Sequence, residues 1–161
     1  MTLKYKIKFK LDELKFRFQR FQKGYSDKDL WNMFDWFMEV TKPMLVEFRK
    51  THHGSPATLG ENYTNEDGLL VNDKCHEEWD AILDRMIFLI TEMNEETCSM
   101  KNQYNEEIER WYEIENYNRE PKYEKIHNLY CEREAEIIEY RDKCKDEFFE
   151  LFSKWFWNLW D

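Results

Sequence analysis

Two acid–histidine pairs have the residue types and the spacing that metal chemistry would need. Glu124 stands three positions before His127, and Asp73 stands three positions before His76. In di-iron carboxylate bundles a Glu and a His at this spacing on one helix bind the metal, and further inward-facing Glu residues complete the site. The apolar stripe predicted for residues 30–48 contains no Glu, and 34 acidic residues with four His produce such spacings by chance. We therefore expect no metal site and no cofactor.

A cysteine next to a histidine is the second arrangement with catalytic residue types. Cys75 directly precedes His76, but adjacent residues of a helix point in different directions, so the imidazole would not activate this thiol. The sequence also has no phosphate-binding glycine loop and no nucleophile elbow. We expect no enzymatic activity. The cysteines form no CxxC pair, and we expect free thiols in a reducing cytoplasm; they are Cys75, Cys98, Cys131 and Cys144.

Positive charge is concentrated at the N-terminus. Residues 1–24 hold eight basic and two acidic side chains, a net charge of +6, whereas the whole chain carries −10 and the remainder therefore −16. The overall acidity argues against nucleic acid as the main partner. This arm would bind phosphates or a partner, pair with the acidic remainder, or keep an exposed strand from associating edge to edge. Its basic residues are Lys4, Lys6, Lys8, Lys10, Lys15, Arg17, Arg20 and Lys23.

The first part of the arm alternates in hydropathy. Apolar residues and lysines take turns over residues 3–11, and a period of two predicts a β-strand with one apolar and one basic face. A single strand leaves its backbone groups unpaired. It would therefore pair with a second copy, giving a homodimer, or with another protein. An extended or helical arm is the alternative.

Helical periodicity dominates the rest of the chain. A short helix is predicted over residues 12–23, and Gly24 stands where a glycine commonly ends a helix. Ser26-x-x-Asp29 has the form of a capping box before an aromatic helix over residues 30–48. Pro43 should kink or divide that helix because it lacks an amide donor.

Two further long helices are predicted beyond a long loop, residues 52–73. The first begins near Lys74 and continues past Cys98 to Tyr112. The second begins near Pro121, a favoured residue type in a first helical turn, and runs to the C-terminus. No apolar run reaches the ~18 residues of a membrane span, and we expect a soluble protein.

The sequence thus predicts a mainly α fold with a single domain over residues 1–161. We expect an antiparallel bundle of three long helices plus a short N-terminal helix, with a single N-terminal strand left open. Asp35 lies among aromatic residues, where a carboxylate needs a cationic or hydrogen-bonding partner. We expect a salt bridge from Arg17 or Arg20 to Asp35 or Asp29, clamping the basic arm to the bundle.

The C-terminal residues read EFFELFSKWFWNLWD and are apolar around most of a helix. Such a segment is normally buried on several sides, which predicts core packing. A second interpretation is that Trp157 and Trp160 stay exposed and form a partner-binding patch, because large exposed apolar patches mark interfaces.

Aromatic motifs are spread along the whole chain. They are Phe18-Gln-Arg20, Gly24-Tyr25, Asp29-x-Trp31, His53-Gly54-x-Pro56, Trp79-x-x-Ile82-Leu83-x-x-Met86-Ile87 and Phe156-Trp157-x-Leu159-Trp160-Asp161. Together they resemble an uncharacterised group of proteins encoded by bacteriophages and prophages of Gram-positive bacteria. The resemblance implies a phage context and expression in the cytoplasm of the bacterial host. It supplies no activity, since its motifs are structural.

These features predict a non-enzymatic, phage-encoded protein that binds a host or phage protein, for example to inhibit or modulate a host defence protein. Some such proteins mimic DNA with ordered carboxylates, and the region from Glu106 to Glu136 would be the place for it. The alternative is a virion or assembly component that acts by self-association. A metal-binding helical-bundle enzyme is a distant third hypothesis.

Overall fold

The computed structural model describes residues 3–60, 72–113 and 121–160, with side chains from Phe9 onward except at residues 60, 72 and 73. Helix is the dominant secondary structure of these residues, and they contain no β-strand. The predicted mainly α class is confirmed. The chain groups into two compact units, Met1–Met44 and Leu45–Asp161, where the sequence predicted one domain.

The first unit contains α1, Leu3–Lys23, and the beginning of α2, Met33–Thr51. Residues 3–11 lie in α1, so the strand prediction is wrong and a homodimer through that strand loses its basis. A helix satisfies its backbone hydrogen bonds within the segment, whereas a lone strand needs a partner. Gly24 ends α1 as predicted, because its φ of 79° is left-handed and its amide donates to the Arg20 carbonyl over 2.9 Å.

A turn separates α1 from α2, and here the predicted helix start is wrong. The carboxylate of Asp29 accepts a hydrogen bond from the Ser26 amide over 2.6 Å, which is one half of a capping box. The Asp29 amide donates back to the Ser26 carbonyl over 3.0 Å. These bonds close a turn instead of opening a helix, and α2 begins only at Met33. Pro43 lies inside α2 and does not divide it.

The second unit begins within α2 and continues through four further helices. The predicted loop over residues 52–73 contains α3, and its residues 61–71 lie outside the described part of the chain. The helices are α3, Ala57–Gly60, α4, Asn72–Glu92, α5, Asn105–Tyr112, and α6, Pro121–Trp155, which a 3₁₀ turn over Phe156–Asn158 follows.

The 35-residue α6 is the element on which α4 and α5 pack. Its described part begins at Pro121, and the residues before it, on which the predicted start near Pro121 depends, lie outside the described part of the chain. Later residues of α4 contact earlier residues of α6, so these two helices run antiparallel: Trp79 lies against Trp155, and Arg85 pairs with Glu147. Trp111 of α5 contacts Tyr123 of α6.

A buried carboxylate ends α4 at Glu92, so the predicted continuation of this helix to Tyr112 is wrong. The carboxylate accepts hydrogen bonds from the Ser99 amide over 3.0 Å, the Ser99 hydroxyl over 2.5 Å and the Tyr140 hydroxyl over 3.0 Å. The two bonds to Ser99 fold the chain back after α4. The bond to Tyr140 ties the same carboxylate to α6.

Opposing effects act on the ionisation of this carboxylate. Burial raises the pKa of Glu92, but the hydrogen bonds from Ser99 and Tyr140 outweigh burial, and the net effect is a lowered pKa. Burial and the hydrogen bond to Glu92 raise the pKa of Tyr140 to about 12. At neutral pH the Glu92 carboxylate is therefore ionised, and the neutral Tyr140 hydroxyl donates a hydrogen bond to it.

The core of the second unit lies along one face of α4 and one face of α6. On α6, Phe148 is fully buried while the adjacent Phe149 is 46% exposed. One face of this helix therefore packs and the neighbouring face meets solvent. The largest fully buried side chains of the unit are Trp79, Leu83, Met86, Leu89, Ile90 and Phe148.

The adjacent phenylalanines of α6 test this packing. We expect Phe148→Ala to lower the free energy of unfolding by about 3–5 kcal/mol, because it removes a buried ring and leaves a cavity. Phe149→Ala removes the same ring from a half-exposed position and should cost clearly less. Urea denaturation followed by circular dichroism measures both, and equal losses would contradict the assignment of α6 faces.

The Glu92 hydrogen bonds give a second test. We expect Glu92→Gln to lower the free energy of unfolding at pH 7 by about 1.5–3 kcal/mol, the usual contribution of hydrogen bonds to a charged group. Because the folded pKa of Glu92 is lowered, its contribution is present above the unfolded pKa of about 4.3 and is lost as the pH falls below it.

The same denaturation experiment is therefore run at pH 7 and at pH 3. We expect the difference in the free energy of unfolding between Glu92→Gln and the parent protein to be smaller at pH 3. Tyr140→Phe is the control, since it removes one neutral donor and should cost about 1 kcal/mol. A Glu92→Gln protein as stable as the parent at pH 7 would contradict the role of this carboxylate.

Candidate interaction surfaces

A network centred on Asp29 holds the first unit together. Arg20 of α1 donates two hydrogen bonds to this carboxylate, from Nε over 2.9 Å and from Nη2 over 2.6 Å. Asp29 is buried, and the same Nη2 atom of Arg20 also donates to the exposed Glu39 over 2.8 Å. Of the four residues predicted to form the clamp, the structure thus joins Arg20 and Asp29.

The same network shifts the ionisation of both partners. The hydrogen bond from Arg20 is the largest cause that lowers the pKa of Asp29, well below its usual range, and the Ser26 amide adds to it. The hydrogen bond to Asp29 in turn raises the pKa of Arg20. The pair therefore stays charged over the whole physiological range, which suits a fixed connection between α1 and the turn.

The other two predicted clamp residues lie elsewhere. Asp35 accepts a hydrogen bond from the Asn32 side chain at the start of α2, and Arg17 is exposed on α1. Beside Asp35, the indole of Trp36 donates to the Gly24 carbonyl over 3.2 Å. Of the two carboxylates named for the salt bridge, the turn brings Asp29 to Arg20, and Asp35 pairs with Asn32.

The predicted basic face divides into two sets in the structure. Lys15 and Lys23 both pair with Asp27, at 3.4 Å and 3.1 Å, and Gln19 donates to the same carboxylate over 2.7 Å. Lys10 is exposed, as is Arg17. The side chains of Lys4, Lys6 and Lys8 lie outside the described residues. One part of the basic set therefore serves the unit's own fold, and another part faces solvent.

An exposed apolar stripe on α1 is the feature that the sequence interpretation missed. We call it the α1 seam; its residues are Leu11, Leu14, Phe18 and Phe21, and they are between 59% and 87% exposed. Their spacings of three, four and three residues are the signal that a helix presents them on one side. The spacing of Leu14, Phe18 and Phe21 underlies the helix predicted over residues 12–23. The sequence interpretation did not predict that this face is exposed or that it includes Leu11.

The C-terminal aromatic patch, Trp157 and Trp160, is exposed. Trp157 is 83% and Trp160 74% exposed, whereas Trp155 is buried. Core packing is therefore correct for Trp155, and exposure is correct for the last two tryptophans. The helix ends at Trp155, which turns the following residues out of the α4–α6 packing.

A recess adjoins this patch. It has a volume of about 330 Å³, enough for a side chain of a partner but small for a drug-sized ligand. Trp160 and the turn before α3 both contribute to its lining. The lining residues are Gly54, Ser55, Pro56, Ala57, Trp79, Asn158 and Trp160.

A histidine–aspartate contact lies at the end of α2. The Nε2 atom of His52 is 2.8 Å from the Asp80 carboxylate, and its Nδ1 atom is 2.9 Å from the Gly54 carbonyl. Arg49 also reaches Asp80, over 2.9 Å. Both ring nitrogens thus face protein oxygens. This contact joins the end of α2 to α4.

The described residues contain no group of three or more His, Cys, Asp or Glu side chains placed to hold a metal ion. His127 of the predicted Glu124–His127 pair lies beside Cys131, with Nδ1 3.7 Å from Sγ, and Tyr123 at a ring separation of 5.5 Å. The side chain of Asp73 lies outside the described part. None of the four cysteines, all of which lie within it, forms a disulfide: Cys75, Cys98 and Cys144 are buried, and Cys131 is exposed.

None of the described helices is both long enough and apolar enough to cross a membrane. The chain matches no protein-family model, and neither a curated protein nor a solved structure shows significant similarity to it.

The Arg20–Asp29 pair can be tested by hydrogen exchange. We expect Asp29→Asn to speed exchange of the Ser26 amide by roughly ten- to a hundredfold, because a charged, buried acceptor is lost, worth about 1.5–3 kcal/mol. Glu39→Gln is the matched control, since it neutralises the exposed acceptor of the same guanidinium and should change exchange little. Nuclear magnetic resonance measures the exchange rate of the Ser26 amide in both variants. An unchanged rate in Asp29→Asn would contradict the role of the Arg20–Asp29 pair in holding this turn.

Proposed function

We propose that this chain is a non-catalytic, phage-encoded protein that acts by binding another protein in the cytoplasm of the bacterial host. A host protein is the preferred partner, for example a defence protein that it inhibits or modulates; a phage protein is the alternative. The observation that carries the proposal is the exposure of Trp157 and Trp160 next to a recess.

The chemistry of this patch suits protein binding. Tryptophan is enriched among the few residues that dominate binding energy, and such residues are surrounded by contacts that exclude water. Exposed indoles cost solubility if nothing covers them, so their position after the end of α6 favours a binding role. The recess beside Trp160 would accept one partner side chain.

A rigid scaffold supports the patch. Phe148, Phe152 and Phe156 form a chain of ring contacts along α6, with centroids 5.4 and 5.5 Å apart, and Phe156 contacts Trp157 at 5.1 Å. The exposed indole of Trp157 is thus connected to the buried core. We further propose that α2, α4 and α6 pack as the antiparallel bundle expected from the sequence, supported by the antiparallel α4–α6 pair.

Self-association in a virion or an assembly intermediate is the alternative use of the same surface. Light scattering separates the two functions, because a modulator of a host protein should be a monomer or dimer at all concentrations. A large closed oligomer would favour the assembly component.

The patch is tested by affinity capture from a lysate of the Gram-positive host, quantified by mass spectrometry. We expect the double variant Trp157→Ala/Trp160→Ala to capture at least about tenfold less partner than the parent, since hot-spot residues contribute about 2 kcal/mol or more. Its melting temperature should match the parent.

Trp31→Ala is the matched control for this capture. It removes an indole that is 91% exposed in the first unit, and it should retain the partner. The proposal fails if no host or phage protein is enriched, or if the double variant captures the same protein equally well.

A further inference from the structure

The α1 seam has the spacing of a coiled-coil surface. Leu11, Leu14, Phe18 and Phe21 follow one another at intervals of three, four and three residues, the a and d positions of a heptad. Leu11 and Phe18 take the a positions, and Leu14 and Phe21 the d positions. All four are mostly exposed. A helix face of this kind is buried when a second helix packs against it.

The opposite face of α1 is already in use. Gln19 and Lys23 bind Asp27, and Arg20 binds Asp29 and Glu39. These contacts fix the rotation of α1 about its own axis within the first unit. The seam therefore points away from the turn that follows Gly24 and remains available.

The residues that flank the seam are basic. Lys10 and Arg17 occupy g positions, and Lys15 and Gln22 occupy e positions. The two acidic residues of α1, Asp12 and Glu13, fall at b and c, on the far side. In a coiled coil the e and g residues of one helix face those of its partner, and they select the partner by charge.

This charge pattern disfavours a second copy of the chain. A parallel pair would place Lys10 opposite Lys15 of the other copy, and an antiparallel pair would place basic g residues opposite each other. Like charges at these positions destabilise the pairing. A helix with Glu or Asp on both flanks would form attractive pairs at the same positions.

We propose that the α1 seam binds an acidic amphipathic helix of a partner protein. The partner's apolar residues pack on Leu11, Leu14, Phe18 and Phe21, and its carboxylates pair with the solvent-facing Lys10 and Arg17. The inference rests on the proposed function, since it assigns the class of protein that is bound. It uses a surface separate from Trp157 and Trp160, so the two can fail separately.

A basic amphipathic helix can also adsorb to an anionic bilayer. The width of the seam favours a protein helix. The seam is a narrow a/d stripe, whereas a helix that lies on a bilayer presents a broad apolar face. Binding to an anionic bilayer is therefore measured in the test as an alternative outcome.

The test measures binding of designed three-heptad helical peptides to the full chain by fluorescence anisotropy. One peptide carries Leu at its a and d positions and Glu at e and g; the matched peptide carries Lys at e and g. We expect saturable binding of the Glu peptide, weakened by salt, and at least about tenfold weaker binding of the Lys peptide. Vesicles of phosphatidylglycerol and a DNA duplex are measured in parallel.

Two variants assign the binding to the seam. Leu14→Glu/Phe18→Glu should bind the Glu peptide at least about tenfold more weakly than the parent, while its circular dichroism spectrum stays helical. Lys10→Glu/Arg17→Glu should shift the preference towards the Lys peptide, a change that misfolding does not produce. Trp157→Ala/Trp160→Ala should bind the Glu peptide like the parent, even if the proposed capture by the C-terminal patch fails.

Three results would overturn the inference. The first is no binding of the Glu peptide, or equal binding of both peptides. The second is binding to vesicles or DNA without binding to the Glu peptide. The third is a dimer of the parent chain in sedimentation that Leu14→Glu/Phe18→Glu abolishes, which would make a second copy the occupant.

Discussion

The buried carboxylate of Glu92 is the constraint on which the order of the second unit depends. It stands where α4 stops, and its Oε2 atom accepts hydrogen bonds from donors in the following turn and on α6. Because a buried charge without partners is strongly unfavourable, the turn and α6 can meet α4 in few other registers. The other contacts between α4 and α6, Trp79 with Trp155 and Arg85 with Glu147, follow the same antiparallel order.

The first unit is organised by the same kind of contact on a smaller scale. Asp29 is a buried carboxylate whose donors come from both sides of a turn. This fixes α1 by its polar face and leaves the apolar seam outside. The two units thus use buried ion pairs and charged hydrogen bonds to set geometry, and each leaves aromatic side chains exposed: Phe18 and Phe21 in one, Trp157 and Trp160 in the other.

The parts of the fold that depend on local signals could be predicted from the sequence. Gly24 ends α1 because it tolerates a positive φ, and the helical periodicity of the last part of the chain predicts α6. The errors arose where a distant contact decides. Residues 3–11 alternate like a strand, but they lack a strand to pair with and join α1. The helix expected beyond Cys98 stops at Glu92 because Ser99 and Tyr140 bind that carboxylate. Whether each C-terminal tryptophan is buried or exposed also depends on where α6 ends.

The central claim is that α1 is held through its polar face while its apolar seam stays free. Hydrogen–deuterium exchange of the chain alone, followed by mass spectrometry, tests it most directly. The account predicts that amides of residues 11–21 exchange at least roughly a hundredfold faster than those of residues 137–155, since a helix with an exposed apolar face opens locally. Equal protection of the two segments in a monomeric chain would show that the seam is already buried and would contradict the account.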